Sequence, residues 1–329
     1  MRKKLLMPEA RSQFDGRADY TNDLPLTKNI TGWKIMSQAK TGIAKAREQV
    51  AKIIDDVDSL PSLPSIVMKL IEVVNAPDSS AEDAAALIQQ DPALTSKMIR
   101  LANSAFYGIP RSVSSVTSAV VALGFNTIRT LVLGASVAQI FDGKHSLDMD
   151  RFWKHSVVTA MASKAIVRHL MGVRVMDPET AFCAGILHDI GKLILSQYMP
   201  GDYGAICNAA KERGIPIVDA ENMVLGINHA QIGKILSDKW TLPPVLEYAI
   251  VGHHALDSLG ETSHMANVVH LANIMAHDLG CNQWDGEACV PENPNCRTEL
   301  KIGDADYEKI IYNLEISMEK SHEFLAVIR

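Results

Sequence analysis

Along most of the chain, apolar residues recur every three or four positions rather than alternating. That is the spacing of one helical face. In TGIAKAREQVAKIIDDV (41–57) the face is Ile43, Val50, Ile53, Ile54 and Val57. Pro61 and Pro64 interrupt it, and SIVMKLIEVVN resumes. Asp91–Pro92 and Asp177–Pro178 each offer an N-cap acid followed by a proline at the first helical position. They open PALTSKMIRLAN and PETAFCAGILHDIGKLILSQY, the latter read as one helix over 178–198. Pro243–Pro244 similarly opens VLEYAIVGHH, and DADYEKIIYNLEISMEKSHEFLAVI reads as a C-terminal amphipathic helix. Turns fall at Gly108, Pro110 and Gly124. No strand-like alternation of convincing length and no internal repeat stands out, so an all-α fold is predicted.

Residues 1–40 mix charge, Gly, Pro and Asn without periodicity and predict an N-terminal extension, partly disordered. The main domain is placed at 41–280. It changes character near 142, which divides it into an N-terminal helical subdomain (41–141) and a second helical subdomain (142–280). No histidine precedes His145, and all 11 lie from there onward. The rest, 281–329, is a C-terminal segment carrying the terminal helix.

Composition narrows the function classes. The chain is 47% apolar but 5% aromatic, which suits packed helices better than sheets. A net charge of −6 argues against a nucleic-acid-binding surface, and the basic MRKK start is short enough to be a solvated end. LLM at 5–7 is too short for the apolar part of a signal peptide. The most apolar window, 118–141, is interrupted by Asn126, Thr127, Arg129 and Thr130 and reads as one or two buried helices. A cytoplasmic location without membrane association is expected. Five cysteines (183, 207, 281, 289 and 296) form no CxxC pair, which fits a reducing compartment. The last three, in CNQWDGEACVPENPNCR, are expected to be free thiols of a loop.

The chemistry-bearing residues lie in the second subdomain. His155 sits in RFWKHSVVTAMASKAIVRHL and His188, Asp189 and Lys192 in GILHDIGKLIL. His229 opens HAQIGKILSDKW, and His253 and His254 close the Pro243 helix. Adjacent helical residues point about 100° apart, so His188 and Asp189 can both lean toward one ion. Lys192, four residues after His188 and three after Asp189, extends over the same face. Imidazoles with a carboxylate suit Fe, Mn or Zn, and a nearby lysine can stabilise phosphate oxygens. The competing reading is a buried, hydrogen-bonded His–Asp pair, because an unpaired buried carboxylate is costly. His145, His169, His264, His277 and His322 are read as ordinary structural histidines. What favours a site is five histidines and one aspartate on four helical segments.

HSVVTAMASKAI, AGILHDIGKLIL and INHAQIGKILSDKWTLPPVLEYAIVGHH together resemble the HD phosphohydrolase superfamily. Upstream, SLPSIVMKLIEVVNAPDSSAEDAAALIQQDPALTSKMIRLANSAFYG and VSSVTSAVVALGFNTIRTLVLG resemble one branch of it, the HDOD domains of bacterial signalling proteins. The resemblance covers about 55–280. It implies an N-terminal helical bundle packed on an HD-like bundle, and a role in bacterial signal transduction. Carried over, the metal ligands are His155, His188 and Asp189, with the distal position at Asn273. Two-metal relatives add positions matching His229, His253 and His254, giving one or two divalent ions. Lys192 matches the lysine of the HDxGK motif of cyclic-dinucleotide phosphodiesterases. If catalysis persists, Asp189 and Lys192 carry it.

Two departures stand out. Asn273 replaces the distal aspartate; its amide oxygen can ligate but carries no charge and cannot act as a base. Asp278, five residues on, points some 140° away on a helix and is a poor substitute. The GYP sequence expected after the paired histidines is absent: ALDSLGETSH follows His254. His270, three residues before Asn273, is read as an ordinary histidine. Two functions stay open. One is a regulatory module that binds a signalling protein partner or a small nucleotide-like ligand, with catalysis lost or reduced. The other is a metal-dependent phosphohydrolase acting on a nucleotide or phosphoester. A homodimer is compatible with either.

Overall fold

The computed structural model describes residues 30–76, 78–110, 112–170, 176–256 and 264–328. Every regular element among them is helical. The chain divides into two units, Met1–Lys45 and Ala46–Arg329. In the first, the described residues are the opening stretch of helix α1 (Ile30–Asp55), which starts 11 residues before the periodic stretch at 41.

The second unit carries the rest. A single 3₁₀ turn (Val57–Ser59) precedes α2 (Ser65–Asn75), α3 (Ala81–Ile88) and α4 (Pro92–Ala102). The apolar window becomes two helices, α5 (Val116–Leu123) and α6 (Phe125–Ile140), bent by 117° at Gly124. Gly124 has φ +82°, a conformation glycine adopts without the steric penalty of a side chain. α6 is buried along nearly its whole length, and no single helix among the described residues is long and apolar enough to cross a membrane.

The expected caps are present. The Asp91 carboxylate accepts from the amides of Ala93 and Leu94, and Asp177 from that of Thr180. The latter starts α8 (Pro178–Leu187), which follows α7 (Met149–His169) and packs closely against it. Gly185 makes this approach feasible, since a Cβ there would lie 2.5 Å from the Ala160 Cα.

The chain then departs from the predicted single helix over 178–198. It breaks at His188–Asp189, and α9 (Ile190–Tyr198) starts afresh. The local reason is chemical. His188 Nδ1 bonds the Gly185 carbonyl at 2.7 Å, close to the acceptor a continuing helix needs, and Asp189 adopts φ −99°, ψ 13°. That sparsely populated bridge region recurs at active sites. After the break come α10 (Pro200–Arg213), α11 (Ile217–Leu225), α12 (His229–Trp240) and α13 (Pro244–Gly252). α14 (His264–Asp278), the short α15 (Cys296–Leu300) and α16 (Asp304–Ile328) complete the unit. α7 is the central post, with α8, α14 and α16 packed around it, while α9 packs on α12. α16 also reaches α4 and α6, where Phe324 joins Phe106 and Phe182 in an aromatic cluster.

Candidate metal centre

Four elements and the break between α8 and α9 place the polar residues in one buried centre. His155 comes from the first half of α7, His188 and Asp189 from the break, Lys192 from the first turn of α9, His229 from the start of α12 and His253 from the end of α13. All six are buried, at 0–4% exposure; His254 is half-buried.

Asp189 is the hub. Its Oδ2 lies 3.3 Å from His188 Nε2 and 3.8 Å from His155 Nε2, and its Oδ1 lies 3.2 Å from His229 Nε2 and 3.6 Å from His253 Nε2. His254 Nε2 is 3.0 Å from His229 Nε2. Donor atoms thus fall into two groups sharing one carboxylate: His155, His188 and Asp189, and Asp189, His229, His253 and His254.

The far side of each ring explains its orientation. Nδ1 of His155 bonds the Cys281 carbonyl at 2.8 Å, that of His188 the Gly185 carbonyl, and that of His253 the Ile250 carbonyl at 2.9 Å. His229 Nδ1 bonds the Glu221 carboxylate at 2.6 Å. Acceptors on the Nδ1 side favour the Nδ1–H tautomer and turn the Nε2 lone pair inward. In the neutral rings those lone pairs face each other and a carboxylate. His188 Nε2, Asp189 Oδ1 and Asn273 Oδ1 are buried without a hydrogen-bond partner among the described residues. The convergence of the histidine nitrogens on the Asp189 carboxylate suits a cation, and imidazole nitrogens with a carboxylate suit a divalent transition ion. The residues therefore fit a metal, which when bound would supply a Lewis acid.

Electrostatics point the same way at every resolved ring but His229, which burial would lower but the Glu221 and Asp189 carboxylates raise on balance. Burial alone would raise the Asp189 carboxyl, but the His188 ring and Lys192 ammonium outweigh it and hold it well below the usual carboxylate range. Burial depresses His155 and His254 strongly and pushes His253 down to about 3, so these rings are neutral, the ligating form. Lys192 loses solvation by burial, yet Asp189 and Glu287 hold its ammonium charged, with its Nζ 2.8 Å from Asp189 Oδ2.

Several residues here were not among those anticipated. Glu221, wholly buried, accepts from the His229 ring, the His229 amide at 2.9 Å and the Tyr203 hydroxyl at 2.7 Å. Gln283 donates from Nε2 to Asp189 Oδ2 at 2.7 Å. His277 lies at the edge of the centre, its ring 5.4 Å from that of His155, and burial pushes it down to about 4. His270 ties the His253 carbonyl, 2.7 Å from its Nδ1, to the Asn293 amide, 3.1 Å from its Nε2. Asn273 is buried on α14, while the hydrogen bonds on Asp189 Oδ2 come from Lys192 and Gln283. The Cys281–Asn293 stretch is more than a thiol-bearing loop, because it supplies contacts to His155, Asp189 and His270. Its periodicity-free sequence offered no signal for this, and Glu221 was hidden by the helical pattern around it. All five cysteines are free.

An all-α bundle with a histidine–aspartate centre at a helix break defines an HD-like helical domain. The HDOD domain model matches residues 60–256, and the chain belongs to that family. Its fold is shared with an HDOD domain protein of unknown function from Geobacter sulfurreducens, at 26% identity and a TM-score of 0.71 over 88% of this chain and 97% of that one. A candidate phosphohydrolase from Shewanella amazonensis SB2B is 27% identical with a TM-score of 0.66, over 84% and 98% of the two chains. An uncharacterised protein of Treponema pallidum (strain Nichols) is 25% identical over 245 residues, 74% of this chain. The chain spans about half the length of that relative, 46%.

Proposed function

We propose that this chain is a regulatory HDOD module of bacterial signal transduction. It would act by binding a signalling protein partner or a small nucleotide-like ligand, around an HD-like metal centre whose catalysis is lost or much reduced. The observation that carries this reading is the state of Asp189. One of its oxygens is already engaged by Lys192 and Gln283, and the carboxylate expected opposite is the uncharged Asn273. A hydrolytic centre needs an open position beside its ion and a base to take up a proton. Here the ligand side chains are almost all fully buried and the distal carboxylate is absent. Within this reading the buried centre as a whole, with its ion, acts as a rigid core where α7, α9, α12 and α13 meet.

The second reading, a metal-dependent phosphohydrolase, is supported by the seven-residue set His155, His188, Asp189, Lys192, His229, His253 and His254. In it Lys192 would orient a phosphate oxygen and Asp189 would hold the ion. A panel of nucleotides, cyclic dinucleotides and phosphoesters separates the two. The regulatory reading expects no turnover by the purified protein and a gain in Asn273→Asp. Turnover by the unaltered chain that vanishes in His188→Ala and Asp189→Ala would overturn it.

A further inference from the structure

The two donor groups around Asp189 are not equivalent. Bonds of about 2.0–2.2 Å at tetrahedral angles set neighbouring donors roughly 3.3–3.6 Å apart. On the Oδ1 side the separations are close to this. Asp189 Oδ1 is 3.2 Å from His229 Nε2 and 3.6 Å from His253 Nε2, and His229 Nε2 is 3.4 Å from His253 Nε2 and 3.0 Å from His254 Nε2. Oδ1 itself accepts no hydrogen bond. The key ring, His229, is braced by the Glu221 carboxylate, itself braced by Tyr203. A carboxylate behind a ligating histidine fixes the ring and raises its basicity.

The Oδ2 side is already occupied by the protein's own groups. Lys192 Nζ and Gln283 Nε2 lie 2.8 and 2.7 Å from Oδ2, which uses both of its lone pairs. His188 Nε2 keeps donor spacing here, 3.3 Å from Oδ2, but His155 is further off, at 3.8 Å, and the residue matching the distal ligand is the neutral Asn273. An ion there would have to displace the Gln283 amide and sit beside a buried ammonium.

We propose that the centre holds a single divalent transition ion on the Oδ1 side, bound by Asp189, His229, His253 and His254. The ammonium of Lys192 and the amide of Gln283 stand in for an ion on the His155/His188 side. This rests on the metal-centre part of the function proposed above. It makes the pole equipped with extra histidines the occupied one, and it assigns Gln283, from outside the matched family region, as the residue that closes the other pole.

The test is anomalous diffraction at the Zn and Mn absorption edges on full-length protein supplied with each metal in turn. Elemental stoichiometry and calorimetric titration with the same metals accompany it. One ion per chain is expected, its peak beside Asp189 Oδ1. His254→Ala, at the one ligand that is not fully buried, is expected to weaken metal binding at least tenfold, whereas His155→Gln keeps a stoichiometry of one. A peak between His155 and His188, or two ions, overturns the assignment but leaves the centre a metal site. A metal-free centre, with an imidazolium of His229 bridging Glu221 and Asp189, overturns the metal reading as well. The map of the unaltered protein decides the question even if a variant fails to fold.

Discussion

Gly191→Ala should be among the most damaging single-methyl additions available in this chain. Gly191 lies in the first turn of α9, where that helix crosses the start of α12. A Cβ at 191 would sit 1.8 Å from the His229 carbonyl oxygen, 2.7 Å from its carbon and 2.8 Å from the Gly233 nitrogen. Ordinary contact begins at about 3.5 Å, so the two helices must part by more than about 1 Å. All three obstructing atoms are backbone, so no rotamer change relieves the clash. Overpacking of this kind costs about 1–3 kcal/mol and occasionally more; with rigid backbone on both sides we expect about 3 kcal/mol. At about 2–4 °C per kcal/mol for a large domain, Tm should fall by roughly 6–12 °C. The same separation pulls Asp189 away from His229, which lie 3.2 Å apart, so metal affinity should fall with stability. Differential scanning fluorimetry with and without added metal reads both effects. Gly201→Ala is the control: on an exposed position of α10 with nothing within 4 Å of the added Cβ, it should be neutral or slightly stabilising. If Gly191→Ala melted with the unaltered protein and bound metal equally well, the close crossing of α9 and α12 would be wrong.

Three further outcomes are expected. Glu221→Ala strands the His229 amide, the His229 ring N–H and the Tyr203 hydroxyl, at about 1–3 kcal/mol per orphaned group. It should lower metal affinity about 10–100-fold by calorimetry, and an unchanged affinity would refute the bracing role. Phe324→Ala removes a ring packed 4.9 Å from Phe106 and 5.5 Å from Phe182, costing about 3–5 kcal/mol. Limited proteolysis should then release α16 first, and unaltered protease resistance would count against its docking there. In chelated protein, His253 binds its proton only near pH 3, whereas in the unfolded chain it does so near about 6.5. Below about pH 6.5 the unfolded state therefore holds the extra proton, and stability falls with pH by up to about 1.4 kcal/mol per unit until the folded value is reached. His155, His254 and His277 add to this loss and the raised His229 opposes it, so urea midpoints that stay level between pH 7.5 and 5 would show that the rings are not, on balance, held neutral.

Much of this molecule was legible before any coordinates. The Asp–Pro pairs marked the starts of α4 and α8 because an acid cap and a proline at N1 act locally. The C-terminal helix was bounded correctly from its apolar spacing alone. The family resemblance pointed to His155, His188, Asp189, Lys192, His229, His253 and His254, and all seven lie in or beside one centre. The helix over 178–198 was misread because periodicity runs unbroken through His188–Asp189. What interrupts it is a side-chain-to-backbone bond from His188 and the pull of Asp189 toward three other helices, neither of which leaves a trace in apolar spacing.

The sequence by itself determined the all-α class, the main helix starts and the types of residue that could ligate an ion, because capping, periodicity and donor chemistry belong to single residues and their near neighbours. Only the tertiary structure decided how those residues share the work. Glu221 is one acid among many until α11 brings it behind His229. Gln283 lies 94 positions from Asp189 and reaches it only because the chain after α14 folds back over the centre. Which oxygen of Asp189 is free and which is taken depends on distances between groups far apart in the chain, and such distances are set by packing.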